Sequence, residues 1–280
     1  TAMKFLEFWN REAHRFKGIV FDIDGTLVCG PRQLPGAAEL LGGCRAAGIP
    51  LCFLTNDGDH TMEQKCSFLC RAGLPARPEE FISCLAALDT AAEENDWRGR
   101  TFFAIGSLGT IRCLQLERDT GCIDHCAGVI MGEGRYDWRG SWEAAVNFFR
   151  RHPERPFIVP NPDLCWPDPV SGGICIGAGG QARCIEHLLR EFGIALNIFY
   201  LGKPYPAIYR HAFRELERRF GIHPEPSELL MLGDSLASDI RGANRSGMVS
   251  ALVLTGITSK EQALAARGDF RPQYVFDSIN

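Results

Sequence analysis

The 280-residue chain has no long apolar run. No stretch approaches the roughly 20 consecutive apolar residues that a membrane-spanning helix needs. It also lacks an excess of one charge. Its 30 Lys and Arg against 34 Asp and Glu give a formal net charge of −4, which offers nothing to attract a nucleic acid or an anionic membrane. Charged runs are short and mixed in sign, as in RELERR at 214–219, and read as solvated helix faces. No fixed-period repeat and no low-complexity tract is present. The first residues, TAMKFLEFWNREAHRF, carry Glu7 and Glu12 and show neither an apolar h-region nor a small-residue cleavage site. They are therefore not expected to be a signal peptide. Phe5, Trp9, Ala13 and Phe16 recur at helical spacing, which predicts an amphipathic helix packed on the body. These absences together predict a cytoplasmic location.

Cysteine, by contrast, is plentiful. There are twelve, scattered through apolar segments of a long chain, so a disulfide framework is not expected. Cys66/Cys70 and Cys122/Cys126 are each separated by three residues. The second pair encloses His125, and Cys113 precedes it. The two-residue knuckle spacing of zinc sites is missing, and buried structural thiols are the expectation.

The composition, 45% hydrophobic and 23% charged, is that of a globular chain, and the length suits two domains. Short β-rich runs alternate with helical patterns. Strands are predicted at 18–23, 50–55, 101–105, 127–131, 156–160, 197–201, 228–233 and 250–254. Helices are predicted at 36–47, 60–72, 80–94, 107–117, 141–151, 178–192, 205–220, 236–246 and 259–267. This alternation is the signature of an α/β fold with a parallel sheet.

Polar residues gather where predicted strands end. Asp22 and Asp24 close the first, Thr55-Asn56 the second, and Gly233-Asp234 a later one; NIFYLG at 197–202 leads into Lys203. Ligands bind at such strand ends in open α/β sheets. Far more chain lies between Asn56 and Lys203 than a crossover requires. Residues 82–197 are therefore expected to form an inserted second domain over the strand ends of the first, with 1–81 and 198–280 making up the first.

Two carboxylates at alternating positions suit two roles. One attacks a phosphate and forms an acyl-phosphate. The other gives a proton to the leaving group and later takes one from water. The residues alone do not say which aspartate attacks. An anionic nucleophile meeting a phosphate needs positive charge. Lys203 supplies one unit, and a hard cation held by Asp22, Asp234 and a backbone carbonyl would supply more; Mg²⁺ fits that oxygen set. The Thr55 hydroxyl, Asn56 and nearby backbone N–H groups suit phosphate oxygens.

DIDGTL (22–27), LTN (54–56), GKP (202–204) and GDSLASDI (233–240) follow in that order. They resemble the four motifs of the haloacid dehalogenase superfamily. The large insert resembles a class II cap, while NPD (161–163), GAGG (177–180) and ALVLTGIT (251–258) look like the class IIA branch of NagD- and 4-nitrophenylphosphatase-like enzymes. The resemblance covers the chain from about Lys17 onward. It implies a doubly wound, Rossmann-like core with an inserted α/β cap. It implies a Mg²⁺-dependent phosphomonoester hydrolase acting on a small phosphorylated metabolite, with nucleotide or sugar phosphates favoured. By resemblance Asp22 is the nucleophile and forms an aspartyl-phosphate. Asp24 is the acid/base, with its backbone carbonyl on Mg²⁺. Thr55 holds the phosphate, Lys203 bridges Asp22 and the phosphate, Asp234 ligates Mg²⁺, and Asp239 orients the ligands. Caps of this branch often mediate dimers, so a homodimer through the cap is the implied assembly.

Two features depart from the branch. Asp57-Gly58-Asp59 follows the LTN motif where a small polar run is usual, which places acidic residues beside the expected phosphate site. Asp57 and Gly58 join Asn56 as candidate substrate contacts. Trp166 stands in a segment that faces the active site in this branch; a tryptophan packing the cap hinge is the alternative. Asp239 as a simple helix cap also stays open. Three rival functions are weighed. A dehalogenase has no use for Asp24. A phosphotransferase or mutase shares the nucleophile and differs in the acceptor. A silent ligand-binding module has no reason to hold Asp22, Asp24, Lys203 and Asp234 together.

Overall fold

The structure is a computed structural model and describes residues 4–167 and 173–280. The chain divides into two compact units. One comprises Thr1–Thr55, Met62–Ile82 and Lys203–Asn280, and the other Asn56–Thr61 and Ser83–Gly202.

The first unit is built on a six-stranded sheet. Its order is Tyr274–Phe276, Val249–Val253, Leu229–Gly233, Gly18–Phe21, Leu51–Thr55 and Phe81–Ser83. The first five of these run parallel. Their sequences, such as GIVF and LLMLG, are continuous apolar runs with every residue buried, as a sheet covered on both faces requires. From the central strand Gly18–Phe21 the chain first builds outward on one side, through Leu51–Thr55. It returns to build the other side from Leu229–Gly233. The order therefore reverses between Gly18–Phe21 and Leu229–Gly233, and this reversal opens a crevice at their carboxyl ends.

The helix Phe5–Glu12 packs Phe5 edge-on against Phe276 at 5.2 Å. Its first backbone N–H groups, which no helical carbonyl satisfies, donate to Ser278 O and Ile279 O. The N- and C-terminal segments are thereby tied into one core.

The second unit has a five-stranded sheet, parallel throughout. Its order is Asn197–Tyr200, Pro156–Val159, Gly128–Met131, Thr101–Ile105 and Gln115–Glu117. Helices Trp138–Arg151 and Ala178–Glu191 pack on it through Phe148, Phe149, Ile185 and Leu189. An antiparallel pair, Cys165–Pro167 with Ile174–Ile176, completes the unit.

Three expectations change. Residues 107–117 are not a helix. Ser107 and Glu133 exchange backbone hydrogen bonds at 2.7 Å, Gly109 N donates to Gly58 O, and Gln115–Glu117 pairs at the sheet edge. These tertiary pairings take the groups a helix would use and override local propensity. The helix predicted over 80–94 begins only at Ala87, because buried Phe81 and Ile82 extend the core sheet instead. Finally, Asn197–Tyr200 is an edge strand of the second sheet. Lys203 thus enters the first unit just before the helix Pro206–Phe220, not from the end of a core strand. Among the described residues no helix is long and apolar enough to cross a membrane, and all twelve cysteines are free.

Candidate active site

Asp22 and Asp234 stand at the crevice where the strand order reverses. Asp22 directly follows Gly18–Phe21, and its backbone N–H donates to Leu232 O at 2.9 Å. Asp234 directly follows the neighbouring strand Leu229–Gly233. The two carboxylates are therefore side by side because their strands are. Asp239 arrives from the next turn. Residues Leu236–Ile240 form a π-helical turn, capped by Ser235 Oγ accepting from Ser238 N. The extra residue in that turn lets Asp239 Oδ2 reach back to the N–H groups of Asp234 and Ser235, at 3.2 and 3.1 Å. Carboxylate oxygens of Asp22, Asp234 and Asp239 lie within 4.8 Å of one another.

One ammonium stands among them. Lys203 Nζ donates to Asp22 Oδ1 at 2.6 Å and to Asp239 Oδ1 at 2.7 Å, and it is only 3% exposed. Burial alone would lower the Lys203 pKa, but the carboxylates of Asp22 and Asp239 overcome it and hold the ammonium charged. Burial pushes the Asp22 carboxyl up, and Lys203 opposes that push. Burial and the Asp239 charge push Asp234 up to about 7. Among the described residues, three carboxylates around one ammonium leave surplus negative charge, the electrostatic condition that a hard divalent cation satisfies. The donor set fits such a cation. Asp22 and Asp234 present oxygens, whereas both oxygens of Asp239 are already engaged by Lys203 and backbone N–H groups.

Asp24 is exposed, and its backbone bridges to Val28. Thr55 closes the strand Leu51–Thr55, next to Gly18–Phe21. All six of Asp22, Asp24, Thr55, Lys203, Asp234 and Asp239 belong to the first unit. Asn56, Asp57, Gly58 and Trp166 belong to the second. Asn56 is buried, and its Nδ2 donates to Asp163 Oδ1 at 2.9 Å. Asp57 works locally. Its Oδ1 accepts from Asp59 N and His60 N, and its Oδ2 meets His60 Nδ1 at 2.9 Å. Trp166 is 37% exposed.

Sequence reasoning passed over several supporting groups. Thr26 Oγ1 donates to Asp22 Oδ2 at 3.3 Å. Ile257 N donates to Asp234 Oδ2 at 2.7 Å, and a Cβ on Gly256 would sit 1.8 Å from that oxygen. Gly25, at φ +79°, also packs under Asp234. All four lie inside quoted motifs, DIDGTL and ALVLTGIT, so the signal was present without its roles.

Comparison with known proteins agrees with this geometry. Residues 19–117 match the sequence model of the haloacid dehalogenase-like hydrolases, and residues 200–280 match a HAD-hydrolase-like model. Ribonucleotide monophosphatase NagD of Escherichia coli (strain K12) is 30% identical over 266 residues, which cover 94% of this chain and 96% of that protein. Acid sugar phosphatase of Staphylococcus aureus (strain USA300) is 26% identical over 273 residues, covering 95% and 96%. The solved structure of NagD from E. coli K-12 matches with a TM-score of 0.76 at 25% identity, over 94% of this chain and 97% of that one.

Proposed function

We propose that this chain, which belongs to the haloacid dehalogenase superfamily and is a phosphatase of its NagD-like class IIA branch, hydrolyses small phosphomonoesters through an aspartyl-phosphate on Asp22. The observation that carries the reading is the 2.6 Å contact of the Lys203 ammonium with Asp22 inside the carboxylate cluster. Lys203 opposes the burial that favours a protonated Asp22, and it is the cation that a carboxylate attacking from position 22 calls for.

Asp22 attacks phosphorus, and the bond to the leaving oxygen breaks. That oxygen takes a proton from Asp24, whose exposed position suits exchange with substrate and water. Asp24 then accepts a proton from the water that attacks the phosphorus of the aspartyl-phosphate. Phosphate leaves and Asp22 is restored. Thr55 and Asn56 hold phosphate oxygens, and Lys203 neutralises charge between Asp22 and the phosphate. Mg²⁺, held by Asp22, Asp234 and the Asp24 backbone carbonyl, would add positive charge at the phosphate. Asp239 keeps Lys203 and the Asp234 backbone in place. In this reading the first unit is the catalytic core and the second its inserted cap.

The relatives' names support the substrate class: one is a ribonucleotide monophosphatase and another an acid sugar phosphatase. Nucleoside or sugar monophosphates are the proposed substrates. The decisive experiment is chemical trapping. Enzyme mixed with substrate and Mg²⁺, quenched in acid and reduced with borohydride, should yield homoserine at position 22. Homoserine at position 24, or at neither position in an active preparation, refutes the assignment. Exhaustive chelation should abolish turnover and added Mg²⁺ restore it; full activity after chelation refutes the metal.

A further inference from the structure

The second unit buries a carboxylate for which the chemistry above has no task. Glu133 follows the strand Gly128–Met131 and is 8% exposed. Its Oε1 accepts from Asn161 Nδ2 at 2.8 Å and from Ala178 N at 3.3 Å, the latter at the start of the helix Ala178–Glu191. Its Oε2 is buried without a hydrogen-bond partner among the described residues. Burial pushes the Glu133 carboxyl up to about 7, and the nearby acids Asp163 and Asp59 push the same way. The Tyr136 hydroxyl also feels the Glu133 charge.

A directed chain of hydrogen bonds leaves this carboxylate. Glu133 Oε1 can only accept here, so the Asn161 amide must turn Nδ2 toward it. Asn161 Oδ1 is then free to accept from Asp163 N, at 2.9 Å. Asp163 Oδ1 accepts from Asn56 Nδ2, also at 2.9 Å. The other end of the Asn56 amide lies against Gly202, where an added Cβ would come within 2.4 Å of Asn56 Oδ1. Asn56 and Gly202 are chain neighbours of Thr55 and Lys203, at two of the four points where the chain passes between its units.

We infer that Glu133 is a positioning residue: through Asn161 and Asp163 it sets the orientation of the Asn56 carboxamide, one residue along the chain from Thr55. The inference rests on the phosphate-binding place given to Asn56 above. It adds a proton-sensitive control. When Glu133 is ionised, the Asn161 N–H bonds to a full negative charge and the tie is strong. When Glu133 is protonated, the same bond is an ordinary one and the tie slackens.

The test reads Asn56 directly, without turnover. In protein selectively labelled with ¹⁵N-asparagine and free of substrate, the Asn56 side-chain amide signals should shift between pH 6 and 8 with a midpoint near 7. Glu133→Gln keeps an acceptor for Asn161 but cannot ionise, so the shift should vanish. Asp163→Ala removes the acceptor for Asn56 Nδ2, so it cuts the chain beyond Asn161 and should also abolish the shift, which keeps the test decisive should the first variant fold poorly. Asn56 signals that do not titrate in the native protein overturn the inference, as do signals that titrate unchanged in either variant. Kinetics add a second readout. The ratio of the native KM to the Glu133→Gln KM for one aryl phosphate should change about threefold over this range, with kcat within twofold; a constant ratio counts against the inference. Failure of homoserine trapping with a titrating Asn56 would sink the phosphatase chemistry and leave the positioning intact.

Discussion

Both units place acids where parallel strands end, but they neutralise them differently. In the first unit Asp22 and Asp239 share the Lys203 ammonium, with Asp234 beside them. In the second, Glu133 receives only neutral N–H donors, and the charges that bear on it are other acids. A buried carboxylate must be paired or protonated. In the first arrangement an ammonium opposes the protonation that burial favours. The second lets protonation stand in for a partner, and so makes a group that changes state near neutral pH. The proposed nucleophile is thus distinguished by the cation next to it, not by the crowding of carboxylates.

The largest expected effect comes from removing the proposed nucleophile while leaving the ammonium. Asp22→Asn should lower kcat for an aryl phosphate by at least about three orders of magnitude, as removal of a covalent-catalysis residue does elsewhere. The fold should survive, because Asp239 still pairs Lys203. Near-normal kcat in a folded, homogeneous preparation would break the contrast drawn here.

Removing the cation comes next. Lys203→Met leaves Asp22 and Asp239 buried without their shared partner, a change worth about 3–5 kcal/mol of stability. Two units need not unfold together, so the measurement is hydrogen exchange at the amides of Gly18–Phe21 and Leu229–Gly233. Those amides should lose protection while the second sheet keeps its own. The loss should shrink in acid, where protonation removes the unpaired charges. Equal loss in both sheets, or none, would show that the ammonium does not hold the first site.

How much of this was legible in the sequence follows from the kind of interaction. The core strands were plain, because strands buried on both faces must be short continuous apolar runs. Asp22, Asp234 and Asp239 were legible because they stand in ordered motifs beside such runs. Residues 107–117 were misread because their conformation is set by backbone pairs to Glu133 and Gly58, which are remote in sequence. Lys203 was found although its strand was misplaced, since GKP marks it whichever sheet precedes it. Glu133 left no local sign: its burial and its tie to Asn161 exist only once two strand ends are neighbours.

A smaller effect should separate the second unit by its pH dependence. An acid with a folded pKa of about 7 against an ordinary value of 4.5 binds more protons folded than unfolded between those pH values. Stability of the native second unit should therefore fall as pH rises from about 4.5 to about 7 and level off above. Glu133→Gln should lack that slope and gain up to about 3 kcal/mol relative to its own acid-side offset at pH 8. Hydrogen exchange in the strands Gly128–Met131 and Pro156–Val159, followed against pH, checks the sign. A native second unit that grows more stable from pH 5 to 8, with the variant parallel to it, would mean that Glu133 is ionised throughout.

The smallest effect concerns Asp57, a partly exposed acid of the second unit. Its carboxylate is about a third exposed, meets His60, and accepts two backbone N–H groups at the turn before the helix Met62–Arg71. Asp57→Asn keeps an acceptor for those N–H groups, so stability should change by less than about 1 kcal/mol. What remains is charge. Like charges a few ångströms apart repel in a partly wet site, so a substrate with a second carboxylate near the scissile phosphate should be disfavoured. Nucleoside and sugar monophosphates should therefore exceed phosphoglycolate in kcat/KM. The Asp57→Asn variant should narrow that gap by about threefold, a difference in transition-state binding under 1 kcal/mol. A native enzyme that prefers phosphoglycolate ends the charge argument. A variant with the native ranking and the native gap would leave Asp57 a purely local role, holding the turn that starts the helix, and discrimination would then have to come from groups other than this acid.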